Sequence, residues 1–170
     1  KKTESFDYTG EMAETIETSE DGKTITFKLR PNLKFHNGTT FTSKDVKYTF
    51  DELFKSTGYK RLAFFDSVDK QLVGHIDGIE TPDEMTVLVR IARPALKNQL
   101  LSNLVAIPII PDGTVATQRE RPVGTGPFRF VNFDQSQSTV ELEAFGEYWE
   151  GAPKVAKIRV KTIPDASALQ

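Results

Sequence analysis

The chain has 170 residues, of which 38% are hydrophobic and 27% are charged, proportions that are typical of globular proteins. Its 22 Lys and Arg against 24 Asp and Glu give a net charge of -2, which argues against nucleic acid as the main partner. The longest apolar stretch, Leu104 to Ile110, is too short to span a membrane, and the absence of cysteine excludes disulfides, thiolate metal sites and a cysteine nucleophile.

The first predicted element is a β-hairpin. Residues 14–18 and 24–29 are two strand-like runs, and the second alternates polar and apolar residues. Asp21-Gly22 lies between them, and glycine takes the positive φ that such a turn requires.

An amphipathic helix is predicted next. Thr42 is placed to cap it, with Asp45 three residues later and Phe41 at the staple position. An apolar stripe at helical spacing follows, made of Val46, Phe50, Leu53 and Phe54. Gly58 marks the end of this helix or lies just beyond it.

The middle of the chain alternates short elements. We predict a short helix around 62–68, strands at 76–80 and 86–91, and a helix from Pro94. The apolar face of that last helix consists of Leu96, Leu100 and Leu104. The prolines in the stretch 107–111 favour an extended edge or crossing segment.

A polar stretch, residues 112–122, is the predicted internal boundary. The sequence Gly124-Thr125-Gly126-Pro127 then opens a group of three strands, predicted at 128–130, 140–143 and 158–161. A β-rich chain with two or three helices indicates an α/β or α+β fold.

Six collinear segments resemble the motifs of one family, and together they are specific although each alone is weak. The segments are S-E-D-G-K-T-I-T-F-K-L-R (19–30), L-K-F-H-N-G-T (33–39), T-S-K-D-V-K-Y-T-F (42–50), P-V-G-T-G-P-F (122–128), E-Y-W-E-G-A-P (147–153) and I-P-D-A (163–166). On these segments the chain is similar to the family 5 extracellular solute-binding proteins of peptide and nickel ABC importers.

The resemblance implies an α/β, periplasmic-binding-protein-like fold (type II, cluster C), with a mixed sheet and flanking helices. Family members are longer, so we expect an incomplete chain. Residues 1–112 would be a subdomain resembling the small extra domain of peptide-binding proteins, and 113–170 part of the main ligand-binding lobe. The opening residues 1–10 depart from the family pattern.

The resemblance also implies a function. We expect a monomeric solute-binding component of an ABC importer that captures di- or oligopeptides outside the cytoplasmic membrane and delivers them to the permease subunits. It would be periplasmic or at the cell surface, as a lipoprotein when full-length, with no cofactor, no metal, no nucleic acid partner and no enzymatic activity. The alternatives are binding of nickel chelates or sugars, a scaffolding or interaction domain of this fold, and an enzyme with a site spread over distant loops.

Candidate ligand contacts lie between the first long helix and the strands that follow, where relatives tend to face the binding cleft. They are Tyr59, Lys60, Arg61, Phe64 and Phe65, with Asn103 near the end of the leucine-rich helix as a further candidate. An aromatic pair beside cations suits an apolar side chain and a carboxylate. The alternative interpretation is that these are core aromatics beside surface cations.

Two other patterns favour structural roles. Gly124-Thr125-Gly126 lacks the Gly-Lys-Ser/Thr of a phosphate-binding loop and precedes a proline, so we interpret it as a tight turn. Glu141 and Glu143 alternate with apolar residues, which indicates a solvated sheet face rather than an acid/base pair.

The histidines and the aromatic pair at 148–149 are interpreted in the same way. His36 is expected to bond a local backbone group within its turn, and His75 to be exposed in a loop, with no spacing typical of a metal site. Tyr148 and Trp149 are expected to seal the edge of the core, with stacking on a ligand as the alternative.

Overall fold

Residues 8–163 form three antiparallel sheets and two α-helices. The computed structural model describes residues 8–163, so residues 164–166 of the last family segment lie outside the described part. In chain order the elements are β1 (Ala13–Thr18), β2 (Thr24–Leu29), α1 (Ser43–Lys55), a 3-10 helix (Tyr59–Phe64), β3 (Phe65–Val68), β4 (Gln71–Gly74), β5 (Ile76–Asp83), β6 (Thr86–Ile91), a 3-10 turn (Pro94–Leu96), α2 (Lys97–Leu104), β7 (Phe128–Asp134), β8 (Thr139–Ala144) and β9 (Lys157–Lys161).

The strands form a main sheet in the order β1-β2-β6-β5, a separate β3-β4 hairpin, and a three-stranded sheet in the order β7-β8-β9. Every strand pair within residues 8–163 is antiparallel. The combination of helices and sheets confirms the α/β fold class, but the predicted mixed sheet does not occur among residues 8–163, where the sheets are antiparallel.

One face of the main sheet carries the hydrophobic core. Ile25 pairs with Val89 and Phe27 with Val87, so the apolar residues of the two central strands share a face. The helices cover this face, and their Phe50 and Leu100 belong to the same buried cluster. Burial of each such side chain stabilises the fold by about 1.5–3 kcal/mol, which makes this cluster the main source of stability.

Helix α1 begins where the sequence predicts. Thr42 has extended backbone and precedes the helix, and the carboxylate of Asp45 accepts the Thr42 N–H at 2.7 Å. The helix ends at Lys55, where the Ser56 N–H donates to Glu52 O and Leu53 O. Gly58 therefore lies beyond the helix, as one of the two sequence interpretations allowed.

The predicted short helix around 62–68 is wrong. A 3-10 helix ends at Phe64, and residues 65–74 form the β3-β4 hairpin. Its two-residue turn, Asp69-Lys70, has positive φ at both positions (49° and 65°), as a type I′ turn requires. The turn contains no glycine or asparagine, so the usual hairpin signal was missing. Strand β5 also continues through residues 81–83, beyond the end predicted at residue 80.

The segment after α2 crosses the core in extended form, as predicted. Ile107 and Ile109 are buried, and the segment joins no strand. Side chains of α1 hold it: Thr49 Oγ1 accepts the Ile110 N–H at 3.0 Å, and Asp45 Oδ1 accepts the Asp112 N–H at 2.8 Å. The chain is thus fixed at the position where the sequence predicts an internal boundary.

The three-stranded sheet has one apolar and one charged face. Phe130, Leu142 and Ile158 lie opposite one another, as do Phe133, Val140 and Val160. On the other face Arg129 pairs with Glu143 at 2.7 Å and Arg159 with Glu141 at 2.8 Å. The arginines are 47% and 77% exposed and the glutamates about a third exposed, so Glu141 and Glu143 belong to a partly solvated, ion-paired sheet face, in agreement with their interpretation.

Candidate solute-binding surface

The predicted contact residues meet at one corner of the molecule. The 3-10 helix Tyr59–Phe64 lies between α1 and β3, and α2 packs beside it. The Asn103 side chain of α2 donates from Nδ2 to Ala63 O at 2.5 Å and so joins α2 to this turn. Residues that are 40 positions apart in the sequence therefore belong to one surface.

Tyr59 and Lys60 project into solvent. Tyr59 is 80% exposed, the largest exposure among the large hydrophobic side chains of residues 8–163. Lys60 is exposed, and its side chain forms no hydrogen bond or ion pair with residues 8–163. Such an ammonium can bind a carboxylate, while the exposed aromatic ring beside it can cover an apolar group of the same solute.

Arg61 and Phe65 form a fixed pair behind these two residues. The Arg61 guanidinium lies 5.4 Å from the centre of the Phe65 ring and donates to Ser56 O at 3.0 Å. Phe65 packs edge-on against Phe54 of α1, with ring centres 5.8 Å apart. The ring and the backbone carbonyl orient the guanidinium, so part of its hydrogen-bonding capacity is already used.

Phe64 points the other way, into the core. Its side chain is 1% exposed and packs edge-on against Phe50 and Phe54, at centroid distances of 5.7 and 5.8 Å. In this structure the ring is therefore not accessible to a solute. It anchors the 3-10 helix to α1 and holds the exposed side chains of the corner in place.

A buried histidine lies at the base of the corner. The prediction that His75 is exposed is wrong, because its side chain is 0% exposed. The backbone N–H of His75 donates to Phe64 O at 2.8 Å, and its backbone carbonyl accepts the Ala92 N–H at 2.9 Å. These two bonds hold His75 between the hairpin and the main sheet. These bonds join residues that are distant in sequence, so no local sequence pattern predicts them.

An acid links His75 to the edge of the main sheet. Asp66 Oδ1 lies 3.1 Å from His75 Nε2, although the contact lacks good hydrogen-bond geometry, and Asp66 also pairs with Arg93. His75 first, and Arg93 second, hold the pKa of the Asp66 carboxyl below its usual value. The hairpin is thereby tied to the residues that follow β6.

An apolar cavity of about 480 Å³ lies under the main sheet. Its walls include Met12, Phe27, Leu101, Leu104 and Trp149. No sequence pattern predicts that these residues line one cavity, because most of them come from different elements and they share no motif. The cavity opens partly to solvent, and its lining includes none of the residues of the exposed corner.

The residues at 148–149 form part of the fold. Trp149 packs against the core cluster, and the Arg30 guanidinium lies 4.5 Å from the centre of its ring. The Tyr148 hydroxyl donates to Glu150 Oε2 at 2.9 Å. Burial first, and Glu150 second, raise the pKa of Tyr148 to about 12. This packing agrees with the predicted role at the edge of the core.

His36 bonds backbone groups, as predicted, but they are not local. Nε2 lies 2.9 Å from Gly126 O and the Gly124 N–H donates to Nδ1 at 3.3 Å, across 90 and 88 residues. Between residues 8 and 163 there is no group of three or more His, Asp or Glu that could hold a metal ion. No helix in that range is long and apolar enough to cross a membrane.

The chain belongs to the bacterial extracellular solute-binding proteins, family 5, whose model matches residues 7–170. A Brucella ovis protein provisionally named an ABC transporter peptide-binding protein is 34% identical over 170 residues, which cover 94% of this chain and 30% of that protein. The glutathione-binding protein GsiB of Pectobacterium atrosepticum is also 34% identical, over 161 residues, with 91% of this chain and 29% of that protein covered.

Solved structures give the same fold. The oligopeptide-binding protein AppA of Bacillus subtilis, in complex with a nonapeptide, superposes with a TM-score of 0.78 at 25% identity and covers 99% of this chain. The protein MoaA of A. tumefaciens R10, in complex with mannopinic acid, gives 0.75 at 32% identity and covers 94% of this chain. The chain spans about a third of the length of these proteins, 34% and 32%.

Proposed function

We propose that this chain forms part of the solute-binding protein of an ABC importer, which captures di- or oligopeptides outside the cytoplasmic membrane and delivers them to the permease. The relatives carry the proposal: the Brucella ovis and Pectobacterium atrosepticum proteins and AppA are named for binding peptides or glutathione. The protein would act as a monomer in the periplasm or at the cell surface, as a lipoprotein when full-length. It would bind its cargo without transforming it and without a cofactor.

The exposed corner would supply one wall of the binding cleft. Tyr59 would cover an apolar part of the solute, and Lys60 would meet a carboxylate, because both side chains are exposed and neither has a hydrogen bond or ion pair with residues 8–163. Arg61, Phe65 and Asn103 would shape the base of this wall, since each already has a contact that fixes its position. Phe64 would act only through the placement of these residues.

The proposal divides the chain into two functional parts. Residues 1–112 would be the small extra domain, because the main sheet, both α-helices and the exposed corner lie within this range. Residues 113–170 would belong to the main ligand-binding lobe, supported by the separate β7-β8-β9 sheet. The bond from the Asp112 N–H to Asp45 would fix the point at which the chain leaves the first part.

A second candidate is a small polar solute that is not a peptide. Two relatives of known structure, AgaA and MoaA, hold agropinic acid and mannopinic acid and are 30% and 32% identical to this chain. These values exceed the 25% identity of AppA with its nonapeptide. A solute that carries a carboxylate would still suit Lys60, so this candidate changes the cargo and keeps the same corner.

Native mass spectrometry of the gently purified full-length protein tests the cargo directly. Peptide masses released on denaturation would support the peptide proposal, whereas one small polar acid would favour the second candidate. A metal chelate or a sugar would replace both solutes and keep the transport role. An empty protein that also gains no thermal stability from a solute panel would refute solute binding and favour a scaffolding role.

Variants of the corner test where binding occurs. We expect Lys60→Gln to weaken binding of the identified carboxylate solute by about tenfold, as loss of one charged hydrogen bond would. Lys44→Gln is the matched control, since Lys44 is exposed on the first turn of α1, at the end of the helix opposite to the corner. Equal affinity of both variants in isothermal titration, with unchanged melting temperatures, would remove Lys60 from the site.

A further inference from the structure

His36 connects two parts of the fold through three hydrogen bonds to one short segment. Its backbone N–H donates to Gly124 O at 2.9 Å. The ring adds the contacts of Nε2 with Gly126 O (2.9 Å) and of Nδ1 with the Gly124 N–H (3.3 Å). The ring also packs edge-on against the buried Phe145, with centres 5.1 Å apart. One side chain therefore clasps the segment that leads into β7.

The turn that carries His36 is itself rigid. The Phe35 N–H donates to Thr39 O at 2.9 Å, and Lys34 bridges to Thr40. Gly38 has φ +85°, a conformation that favours glycine. The Phe35 side chain is fully buried, so the backbone of the turn is anchored to the core next to His36.

The partners define the chemical state of the ring. A backbone carbonyl can only accept, so Nε2 must carry a proton to bond Gly126 O. A backbone N–H can only donate, so Nδ1 must offer a lone pair to Gly124. The clasp thus requires the neutral Nε2–H tautomer. An imidazolium carries a proton on both nitrogens, and its Nδ1–H would face the Gly124 N–H.

The charged groups around the ring have both signs. His36 borders an open cavity of about 1190 Å³, whose wall also holds Arg119, Glu120, Arg121, Arg129 and Glu143. Two residues before His36, Lys34 pairs with Glu147. Positive and negative groups are both present, so no single neighbouring charge decides whether the ring is neutral or protonated. The neutral ring is favoured because a protonated Nδ1 would place its N–H against the Gly124 N–H.

We infer that His36 is a pH-sensitive clasp between the 33–41 turn and Gly124–Gly126. In its neutral form both ring nitrogens bond the segment. Protonation breaks the bond from Gly124 and leaves the bond to Gly126, so the segment leading into β7 loosens in acid without unfolding of the core. The inference rests on this geometry and is independent of the solute.

NMR of the whole 170-residue chain tests the clasp. Ring ¹⁵N shifts report the protonation state of His36, and amide hydrogen exchange reports protection at Gly124. In spectra recorded from about pH 7.5 to pH 5, we expect the Gly124 protection factor to fall about tenfold once the ¹⁵N shifts show a charged ring. The Ile91 N–H donates to Lys23 O at 2.8 Å in the main sheet, away from the His36 ring, and it should keep its protection as an internal control.

The variant His36→Gln provides the matched comparison. Its side-chain amide has an NH₂ group that donates and a carbonyl oxygen that accepts, and it does not titrate in this range, so Gly124 protection should not depend on pH. The imidazole signals that disappear from the spectrum of this variant are those of His36, which assigns the remaining signals to His75. The clasp would be refuted if Gly124 protection stays constant while the wild-type ring becomes charged, if the ring stays neutral throughout, or if the variant shows the same fall.

Discussion

Removal of the Asp45 carboxylate should loosen the junction between α1 and the crossing segment. This side chain is 6% exposed and accepts three hydrogen bonds. Oδ2 accepts the Thr42 N–H at 2.7 Å and the Thr42 hydroxyl at 3.0 Å, and Oδ1 accepts the Asp112 N–H at 2.8 Å. Asp45→Ala therefore leaves the first turn of α1 without this acceptor and frees the chain at residue 112.

The size of the effect follows from these bonds. Loss of a helix-cap interaction costs about 0.5–2 kcal/mol, and a buried donor left without a partner costs about 1–3 kcal/mol. Residue 112 is exposed, so water can partly replace the lost partner of the Asp112 N–H. The cost of losing this bond therefore lies at the lower end of its range, about 1 kcal/mol. We expect Asp45→Ala to reduce the free energy of unfolding by about 1.5–3 kcal/mol, the sum of the cap term and about 1 kcal/mol for the Asp112 bond.

Asp51→Ala is the matched control, two turns further along α1. Asp51 forms an exposed i,i+4 pair with Lys47 at 2.8 Å, and such pairs contribute about 0.3–0.5 kcal/mol. Both free energies can be measured by urea unfolding, followed through the fluorescence of Trp149. If Asp45→Ala costs no more than the control, the carboxylate does not hold the junction and the reasoning from its three bonds fails.

Three further predictions follow from packing, steric contact and charge. Phe64→Ala should cost about 3–5 kcal/mol and Tyr59→Ala less than about 0.5 kcal/mol in urea unfolding, because one ring is buried and the other exposed; equal losses would contradict the packing. Gly10→Ala should lower the melting temperature, since a Cβ there would lie 1.9 Å from a backbone oxygen, whereas Gly126→Ala, with nothing within 4 Å, should not. Asp66→Asn should destabilise the protein at neutral pH, because the folded pKa of this carboxyl lies below its usual value of 3.8; that stability is present above this value and disappears as pH falls through the folded pKa, so a deficit that persists in acid would refute the ion pair.

The elements that sequence analysis placed correctly have local causes. Asp21-Gly22 forms its turn within a few residues, and Gly22 has φ +70° as the prediction required. Thr42 and Asp45 are neighbours on the first turn of α1, so their bond can be predicted from spacing alone.

The features that it missed have distant causes. His75 is buried because Phe64 and Ala92 bond its backbone, and neither bond follows from the residues beside it. Within the candidate site, the adjacent rings of Phe64 and Phe65 look equivalent in sequence. Only the packing of the 3-10 helix on α1 decides that Phe64 is buried and that Phe65 supports Arg61.

The β3-β4 hairpin has a consequence for how such a protein can diverge. Among residues 8–163 its two strands pair only with each other, while the register of the main sheet is fixed by separate pairs. An insertion or substitution at Asp69-Lys70 would therefore change the exposed tip of the hairpin without moving the core strands. The tip lies beyond Asp66, whose contacts with His75 and Arg93 hold the base of the hairpin, so this ribbon can vary in length and charge at little cost to stability.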